Sequence, residues 1–178
     1  EQMPSSSWNG DDHAFAAAQR AVLGAIALGQ PLAQVLHTIV VLIEAQSSGM
    51  MCSIVLIEDG GRIRHIAAPH LPSEYTQAID GAQIGPQAGS CGTAAYTHKP
   101  VIVEDIAKHP AWTDYRDVAL SHGLRACWST PIIAPDGRDL ASFAIYYREI
   151  RRPTAQELEW IEVGTYLAYV ALASERAR

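Results

Sequence analysis

Residues 85–96 read Gly85-Pro-Gln-Ala-Gly-Ser-Cys-Gly-Thr-Ala-Ala-Tyr96, and the other predicted elements are arranged around them. Gly89 and Ser90 predict a turn into a short helix, with the Ser90 hydroxyl as N-cap. Cys91 then falls at the first helical position, where the helix dipole would lower the pKa of its thiol. The free amides of such a helix start also suit an anionic or polar ligand group. The alternative is a purely structural turn in which Cys91 is a small apolar filler.

The composition is that of one globular domain. The 178 residues are 48% hydrophobic and 18% charged, which is typical of a chain with a self-contained core. A net charge of -6 without a Lys/Arg cluster argues against nucleic-acid binding. The three cysteines, Cys52, Cys91 and Cys127, show neither a disulfide framework nor a zinc-site spacing, which favours a reducing cytoplasm. The apolar runs are too short for membrane insertion, and polar Glu1–Asp12 is predicted to be a linker or an expression remnant.

Hydrophobic periodicity predicts a single α+β domain over residues 13–178. Two amphipathic helices come first, and two β-hairpins follow, separated by short helices and a long connection. The predicted elements are helices His13–Leu28 and Leu32–Ala45, strands Met51–Glu58 and Arg62–Ala68, short helices from Ser73 through Ile79 and Cys91–Thr97, strand Val101–Val103, the connection 105–123, strands Ala126–Ile133 and Leu140–Tyr147, and a final helix from Ala155. Short strands in tight hairpins imply an antiparallel sheet whose faces are covered by helices.

The final helix is unusually apolar. It opens with a capping box at Thr154 and Glu157, and from Trp160 to Leu172 it is apolar almost all round. One apolar stripe can cover the sheet, and the opposite face then needs a second partner. We therefore expect this helix to pair with a second protomer and to continue into an output module. The alternative is a helix sandwiched between the sheet and the first helix.

In their order, these segments resemble the GAF domain family over about residues 20–174. The matching pieces are Pro31–Leu36, Cys52–Ile57, Ile84-Gly85 with Gly89–Ala95, Val101–Ile106, Gly123–Ile132 and Arg151–Glu157. The resemblance implies a GAF-like central antiparallel sheet of five or six strands with helices on both faces. It also implies a pocket on one face, roofed by the long connection and by the short helix. The most similar type is the bacterial sensory GAF domain that precedes a histidine kinase, or a diguanylate cyclase or phosphodiesterase of cyclic-di-GMP signalling.

Such a pocket would bind a small molecule between flat aromatic walls and a few polar anchors. Because side chains alternate along a strand, only one of the pairs Cys127/Ser129 and Trp128/Thr130 can face it, and we favour Cys127 with Ser129. In the alternative interpretation, the aromatic residues only pin the connection to the sheet. The predicted ligand-binding residues are Cys91, Gly92, Thr93, Asp105, Trp112, Tyr115, Arg125, Cys127, Trp128 and Ser129.

Other ligands and activities of the family fit this sequence less well, and we expect no cofactor. The Asn-Lys-x-x-x-Phe-x-x-x-Asp-Glu pattern of cyclic-nucleotide binders and a Cys-His pair for bilin attachment are missing. The candidate haem ligands His109 and His122 are expected to be surface residues, and no histidine spacing indicates a metal site. The free methionine-(R)-sulfoxide reductases share a Gly-x-Cys-Gly-Thr-Ala segment. Their catalytic cysteine lies in the connection, however, and residues 105–123 have none, so we expect no enzyme activity.

We therefore predict a cytoplasmic regulatory sensor domain. It would bind an unidentified small molecule, form a homodimer through its terminal helices and relay its state to a covalently attached output domain. Two alternatives stay open. One is a dimerisation scaffold with a vestigial pocket. The other is a thiol redox sensor, with an accessible low-pKa Cys91 and a resolving Cys127.

Overall fold

The computed structural model describes the backbone of residues 10–178 and the side chains of residues 12–178. The predicted linker Glu1–Asp12 falls largely outside this range, and its described end belongs to the first helix. In chain order the elements are α1 (Gly10–Ala27), α2 (Leu32–Glu44), β1 (Met51–Glu58), β2 (Arg62–Ala67), α3 (Ser73–Ile79), α4 (Gly89–Thr97), β3 (Val101–Val103), a 3-10 helix (Pro110–Trp112), α5 (Arg116–Ser121), β4 (Ala126–Ile133), β5 (Asp139–Tyr147) and α6 (Ala155–Arg176). Across the described residues, no helix combines the length and apolarity needed to cross a bilayer.

The five strands form one antiparallel sheet in the order β2-β1-β5-β4-β3, which confirms the predicted α+β fold. The register pairs Cys127 on β4 with Tyr146 on β5. Strands β2 and β3 are the edges. The segment after α3 runs along the outer edge of β2, where the Ile63 amide donates to the Ala82 carbonyl at 2.9 Å and the Gly81 amide donates to the Ile63 carbonyl at 2.8 Å.

Side chains of the central strands alternate between two cores. On β5, Phe143, Ile145 and Tyr147 join the core beneath α1, α2 and α6. Ala144 and Tyr146, one position away, join a second core beneath α3, α4 and the connection between β3 and β4. Both faces of β5 are thus buried, so its sequence lacks the apolar–polar alternation of a half-exposed strand.

Helix α6 lies against the sheet and against the two N-terminal helices. It contacts α1, α2, β4 and β5, and its close approach depends on Gly164, where an added Cβ would lie 2.8 Å from Phe143 Cζ and 3.2 Å from Ile43 Cγ1. Leu158 and Tyr166 point away from this packing, with 45% and 61% of their surface exposed. The sandwich expected as an alternative is therefore present, together with an outward apolar stripe.

The first turn of α6 is fixed by the buried carboxylate of Glu157, and the predicted capping box is confirmed. Thr154 Oγ1 accepts from the Glu157 amide at 3.1 Å, and Glu157 Oε1 accepts from the Thr154 amide at 3.0 Å. Arg151 Nη2 donates to the same Oε1 at 3.1 Å, and the Tyr147 hydroxyl donates to Oε2 at 2.6 Å. Burial and then this bond to Glu157 raise the pKa of Tyr147 to about 12, so the hydroxyl remains a donor. The start of α6 is thereby tied to the end of β5.

We expect Gly164→Ala to lower the free energy of unfolding by about 1–3 kcal/mol, because the added methyl group overpacks the contact with Phe143. Gly24→Ala in α1 is the matched control, because a Cβ there meets no atom within 4 Å and alanine favours a helix over glycine by about 0.5–1 kcal/mol. Urea unfolding of both variants measures the difference. Stabilisation by both substitutions would contradict the packing described for α6.

Candidate functional site

The predicted site is a closed core between the sheet and α4. Two buried hydroxyls hold the first turn of α4 on the sheet, because Ser90 Oγ donates to the Cys127 carbonyl at 3.0 Å and Ser142 Oγ donates to the Cys91 carbonyl at 3.1 Å. The N-cap residue is Ala88, and Ser90 lies inside the helix without capping it. The prediction that Ser90 caps the helix is therefore wrong, since its hydroxyl bonds to β4 instead.

The connection between β3 and β4 roofs this core. Trp112, in the 3-10 helix, is buried, and its Nε1 donates to Ser90 Oγ at 3.0 Å. Arg116 holds the connection in shape, because its Nη2 donates to the His109 carbonyl at 2.8 Å and its Nε donates to the Ile106 carbonyl at 3.2 Å. The Ser90 hydroxyl thus links roof, helix and sheet in one chain of hydrogen bonds.

Hydroxyl and thiol groups fill the interior. The Tyr75 and Tyr146 hydroxyls bond at 2.9 Å, with the two rings packed edge to face. Ser129 Oγ lies 3.2 Å from Cys91 Sγ and 3.7 Å from Cys127 Sγ. All five side chains are buried. These five polar groups have partners inside the core, which offsets the cost of burying them. Ser53 Oγ, on the face of β1 towards this core, is buried without a hydrogen-bond partner among the described residues.

Little space remains within this core. The cavity measures about 20 Å³ and is lined by Tyr75, Ser90, Cys91, Trp112, Tyr115 and Tyr146 among others. Such a volume holds about one water molecule, whereas pockets for small organic ligands commonly measure about 300–1,000 Å³. In this conformation the protein fills the site with its own side chains.

The structure brings together one part of the predicted ligand site at this core, namely Cys91, Trp112, Tyr115, Cys127 and Ser129. Gly92 and Thr93 lie further along α4 and serve its packing. An added Cβ on Gly92 would lie 2.7 Å from Ala88 Cβ, and Thr93 Oγ1 accepts from the Ala88 amide at 3.0 Å.

Asp105 and Arg125 lie beside each other outside the cavity. Arg125 Nη2 is 3.8 Å from Asp105 Oδ1, and 40% of the arginine side chain is exposed. Asp105 Oδ1 also accepts from the Ala107 amide at 3.0 Å, which fixes the start of the connection. Neither residue lines the closed core.

Trp128 lies on the opposite face of β4. Its ring packs on Tyr147 with 5.3 Å between centroids, and its Nε1 donates to the Arg151 carbonyl at 3.1 Å. Trp128 therefore does not face this core, because Cys127 and Ser129 occupy the face of β4 towards α4 and the strand turns Trp128 towards α6. Cys127 and Ser129 lie on the core side of β4, as preferred from the sequence, and their role in ligand binding stays a prediction.

The thiols of Cys91 and Cys127 both lie beside the Ser129 hydroxyl. Interaction with Cys127 and then burial raise the pKa of Cys91 well above its usual value. Burial also acts to raise the pKa of Cys127, but interactions with Cys91, Ser90 and other groups outweigh it and lower that pKa. The predicted low pKa of Cys91 is thus wrong.

Three residues of the core were not identified from the sequence: Tyr75, Ser142 and Tyr146. The alternation along β5 carries a signal for two of them, because Ser142 and Tyr146 stand at even spacing and so share a face. Tyr75 belongs to a correctly predicted short helix. Nothing in its sequence context indicates which neighbour its hydroxyl meets.

The candidate haem ligands are engaged within the protein. His109 Nδ1 accepts from the Ala111 amide at 3.1 Å, and the His122 ring packs edge-on to Tyr75. Within the part of the chain that the structure describes, no group of three or more His, Cys, Asp or Glu side chains is placed to hold a metal ion.

A second concave surface lies elsewhere. An open groove of about 690 Å³ runs between α6 and strands β3 and β4, with Ile102, Pro131, Leu158, Ile161 and Tyr166 among its lining residues. Apolar side chains dominate this lining, and the exposed Leu158 and Tyr166 of α6 form one of its walls.

Comparison with known proteins agrees with this geometry. A family model described as GAF domain matches residues 25–173. The methyl sulfide methyltransferase-associated sensor of Methanosarcina acetivorans is 39% identical over 160 residues, which is 89% of this chain but only 16% of that sensor's length. Among solved structures, the GAF domain of a phosphoenolpyruvate-protein phosphotransferase from Coxiella burnetii superposes with a TM-score of 0.71 at 21% identity, covering 92% of this chain and 95% of that one. The free methionine-R-sulfoxide reductase of Neisseria meningitidis superposes with a TM-score of 0.71 at 13% identity, covering 96% and 95%. At these identities the two structures support the fold alone.

We expect Ser90→Ala to lower the free energy of unfolding by about 1–3 kcal/mol, because it leaves Trp112 Nε1 and the Cys127 carbonyl without their buried partner. Ser121→Ala is the matched control, because the Ser121 hydroxyl is exposed and bonds only to the Val118 carbonyl, and we expect a change within about 0.5 kcal/mol. Urea unfolding followed by tryptophan fluorescence measures both. Equal effects of the two substitutions would contradict the bridging role of Ser90.

Proposed function

This chain belongs to the GAF domain family, and we propose that it is the sensory domain of a longer signal-transduction protein. In this proposal it binds a small molecule at the closed core and relays its state through α1 and α6 to an output domain. The likeness to a protein named as a sensor supports this role. Since the chain spans only 16% of that sensor's length, the identity of the output domain is not part of the proposal.

One observation carries the proposal: adjacent residues on two strands link the closed core to the start of α6. On β4, Cys127 lies in the core, and its neighbour Trp128 donates to the Arg151 carbonyl ahead of α6. On β5, Tyr146 bonds inside the core, and its neighbour Tyr147 donates to Glu157 in the first turn of α6. Because neighbouring residues share one backbone, a shift of either strand at the core also moves a contact that fixes α6.

Binding requires the core to open, since its cavity of about 20 Å³ admits no larger molecule in this conformation. The Trp112–Ser90 bond is the contact between roof and helix that must break. A ligand would then select an open state from a minor population and shift the equilibrium towards it. In this proposal, the signal passed to α6 is the difference between the closed and the opened core.

The lining of the core indicates the chemical class of the ligand. The residues around the cavity carry hydroxyl, thiol, aromatic and aliphatic groups, and none of them carries a formal charge at neutral pH. A charged ligand would lose its hydration without a compensating partner. We therefore propose an uncharged molecule with hydrogen-bonding groups that replace the bonds among Ser90, Ser129 and the two tyrosines.

We also propose that the domain is not an enzyme. The relative from Methanosarcina acetivorans is named as a sensor, although the Neisseria meningitidis protein of similar fold is named as a reductase. Residues 105–123, which roof the core, contain no cysteine and no nucleophile paired with a base at the cavity. The roof residues that line the cavity are Trp112 and Tyr115.

We expect a library of uncharged polar metabolites to contain a compound that raises the melting temperature of the domain. A ligand at a hundred times its Kd stabilises the native state by about 2.7 kcal/mol. Tyr115→Ala, which removes a wall of the cavity, should lose the shift, whereas Trp128→Phe on the opposite face of β4 should retain it. If Trp128→Phe loses the ligand-induced shift in melting temperature and Tyr115→Ala retains it, the ligand binds elsewhere.

A second candidate function is a dimerisation scaffold whose pocket is vestigial. The closed core favours it, because the protein's own side chains satisfy the polar groups that a ligand would bind. The exposed Leu158 and Tyr166 on α6 supply an apolar surface that suits a second copy of the same helix. The two functions are compatible, and they differ in whether any ligand stabilises the domain.

We expect the domain to be a homodimer by light scattering coupled to size-exclusion chromatography, with the outer face of α6 at the interface. Tyr166→Asp should shift it to a monomer, because a carboxylate there would be buried without a partner. Tyr96→Asp on α4 is the matched control, since Tyr96 is also exposed, at 56%, and lies on the other side of the sheet. A monomeric parent protein at high concentration, or an equal effect of both substitutions, would refute this interface.

A further inference from the structure

We propose that Cys91 and Cys127 are a redox-active thiol pair that hydrogen peroxide converts into a disulfide inside the closed core. The inference goes beyond the proposed ligand site and is independent of it. Formation of the disulfide requires no metabolite, and binding of a metabolite requires no oxidation. Each can therefore fail without the other.

The geometry keeps the two sulfur atoms together. Both lie within 3.7 Å of the Ser129 hydroxyl. Their backbones are also held together, because Ser90, next to Cys91, donates to the carbonyl of Cys127. A disulfide needs Cα atoms about 4.4–6.8 Å apart, and this direct tether between α4 and β4 favours a separation of that kind.

A third hydrogen bond prevents the helix from moving away when the thiols react. The Ser142 hydroxyl on β5 donates to the Cys91 carbonyl at 3.1 Å. The first turn of α4 is thus bound to two neighbouring strands, to β4 through the Ser90 hydroxyl and to β5 through the Cys91 carbonyl. Rotation of the side chains, with only a small backbone shift, is then sufficient to bring the sulfur atoms into bonding distance.

The cavity selects the oxidant by size. Cys91 lines the cavity of about 20 Å³, whereas Cys127 is fully buried behind it. That volume accepts a molecule of about the size of water, and hydrogen peroxide is the smallest hydroperoxide. A peptide disulfide such as oxidised glutathione is far too large to reach Cys91 while the roof is closed. The site should therefore respond to peroxide and not to thiol–disulfide exchange.

The reaction uses the two thiols in different roles. The Cys91 sulfur attacks one peroxide oxygen, the O–O bond breaks, and the leaving hydroxide takes the Cys91 proton as water, so that Cys91 becomes a sulfenic acid. The Cys127 sulfur then attacks the Cys91 sulfur, the S–O bond breaks, and the leaving hydroxide takes the Cys127 proton as a second water. Overall, two thiols are oxidised to a disulfide and one hydrogen peroxide is reduced to two waters.

Cys52 is a built-in control. It is fully buried on β1, in the other core, and its backbone amide donates to Glu44 Oε2 at 3.0 Å. Burial and then the charge of Glu44 raise the pKa of Cys52. With no second cysteine in the same core and no thiolate, we expect it to stay reduced under conditions that oxidise the pair.

Mass spectrometry of the intact chain tests the proposal. After treatment with hydrogen peroxide and alkylation of free thiols under denaturing conditions, we expect one alkylated cysteine, Cys52, and a peptide pair joined through Cys91 and Cys127. Reduction with a dithiol after the chain has been denatured should restore three alkylated cysteines. Oxidised glutathione at the same oxidising equivalents should leave all three cysteines free.

Single substitutions test the separate roles. Cys52→Ser should form the disulfide like the parent protein, and Cys91→Ser should leave Cys127 reduced, because Cys127 does not reach the cavity. Cys127→Ser should abolish the disulfide and leave Cys91 as a sulfenic acid that a sulfenic-acid-specific probe traps, because no resolving thiol remains. Peptide mapping of the parent protein decides the proposal even if a variant fails to fold. Three free cysteines after peroxide, Cys52 reacting as fast as Cys91, or an equal response to oxidised glutathione would overturn it.

Discussion

The structure depends on a constraint of strand geometry: successive side chains of a strand must point to opposite faces of the sheet. On the two central strands β4 and β5 both faces are buried, so each pair of adjacent residues serves two cores at once. Cys127 and Tyr146 contribute to the closed core, and their neighbours Trp128 and Tyr147 contact the region where α6 begins. A single layer of backbone therefore separates the candidate site from the helix. The relay that we propose between them would need no chain of intermediates, because the same peptide units carry both sets of contacts.

The closed core contains many polar groups, and most of them satisfy one another. Ser90 accepts from Trp112 and donates to the Cys127 carbonyl, and the Tyr75 and Tyr146 hydroxyls bond together. An unpaired hydroxyl in such a place would cost about 1–3 kcal/mol. The ligand that we propose would therefore have to replace these bonds, and an apolar molecule of the same size would leave the hydroxyls unpaired.

Much of the fold follows from local sequence, and much of the site does not. The strands, the antiparallel order and the capping box at Thr154 and Glu157 are predictable because periodicity and capping are properties of neighbouring residues. Alternation along β4 correctly separated Cys127 and Ser129 from Trp128 and Thr130, but by itself it could not decide which pair faces α4. The role of Ser90, the place of Trp128 and the high pKa of Cys91 were missed because each depends on residues far away in the chain. The cavity volume could not be inferred either, since it depends on how closely the roof, α3 and the sheet pack.

The two edges of the sheet have a consequence for how copies of this domain can associate. The outer rim of β2 is already occupied, because residues 81–84 exchange backbone bonds with it, including those between Ile63 and Ala82. At the other rim, β3 offers only three residues and follows directly after Pro100, so it is a poor template for an added strand. Growth of the sheet from one molecule into the next is thereby blocked on both sides. Edge-to-edge stacking of the sheet into a fibre is therefore disfavoured, and the helical layer remains as the surface through which two molecules can meet.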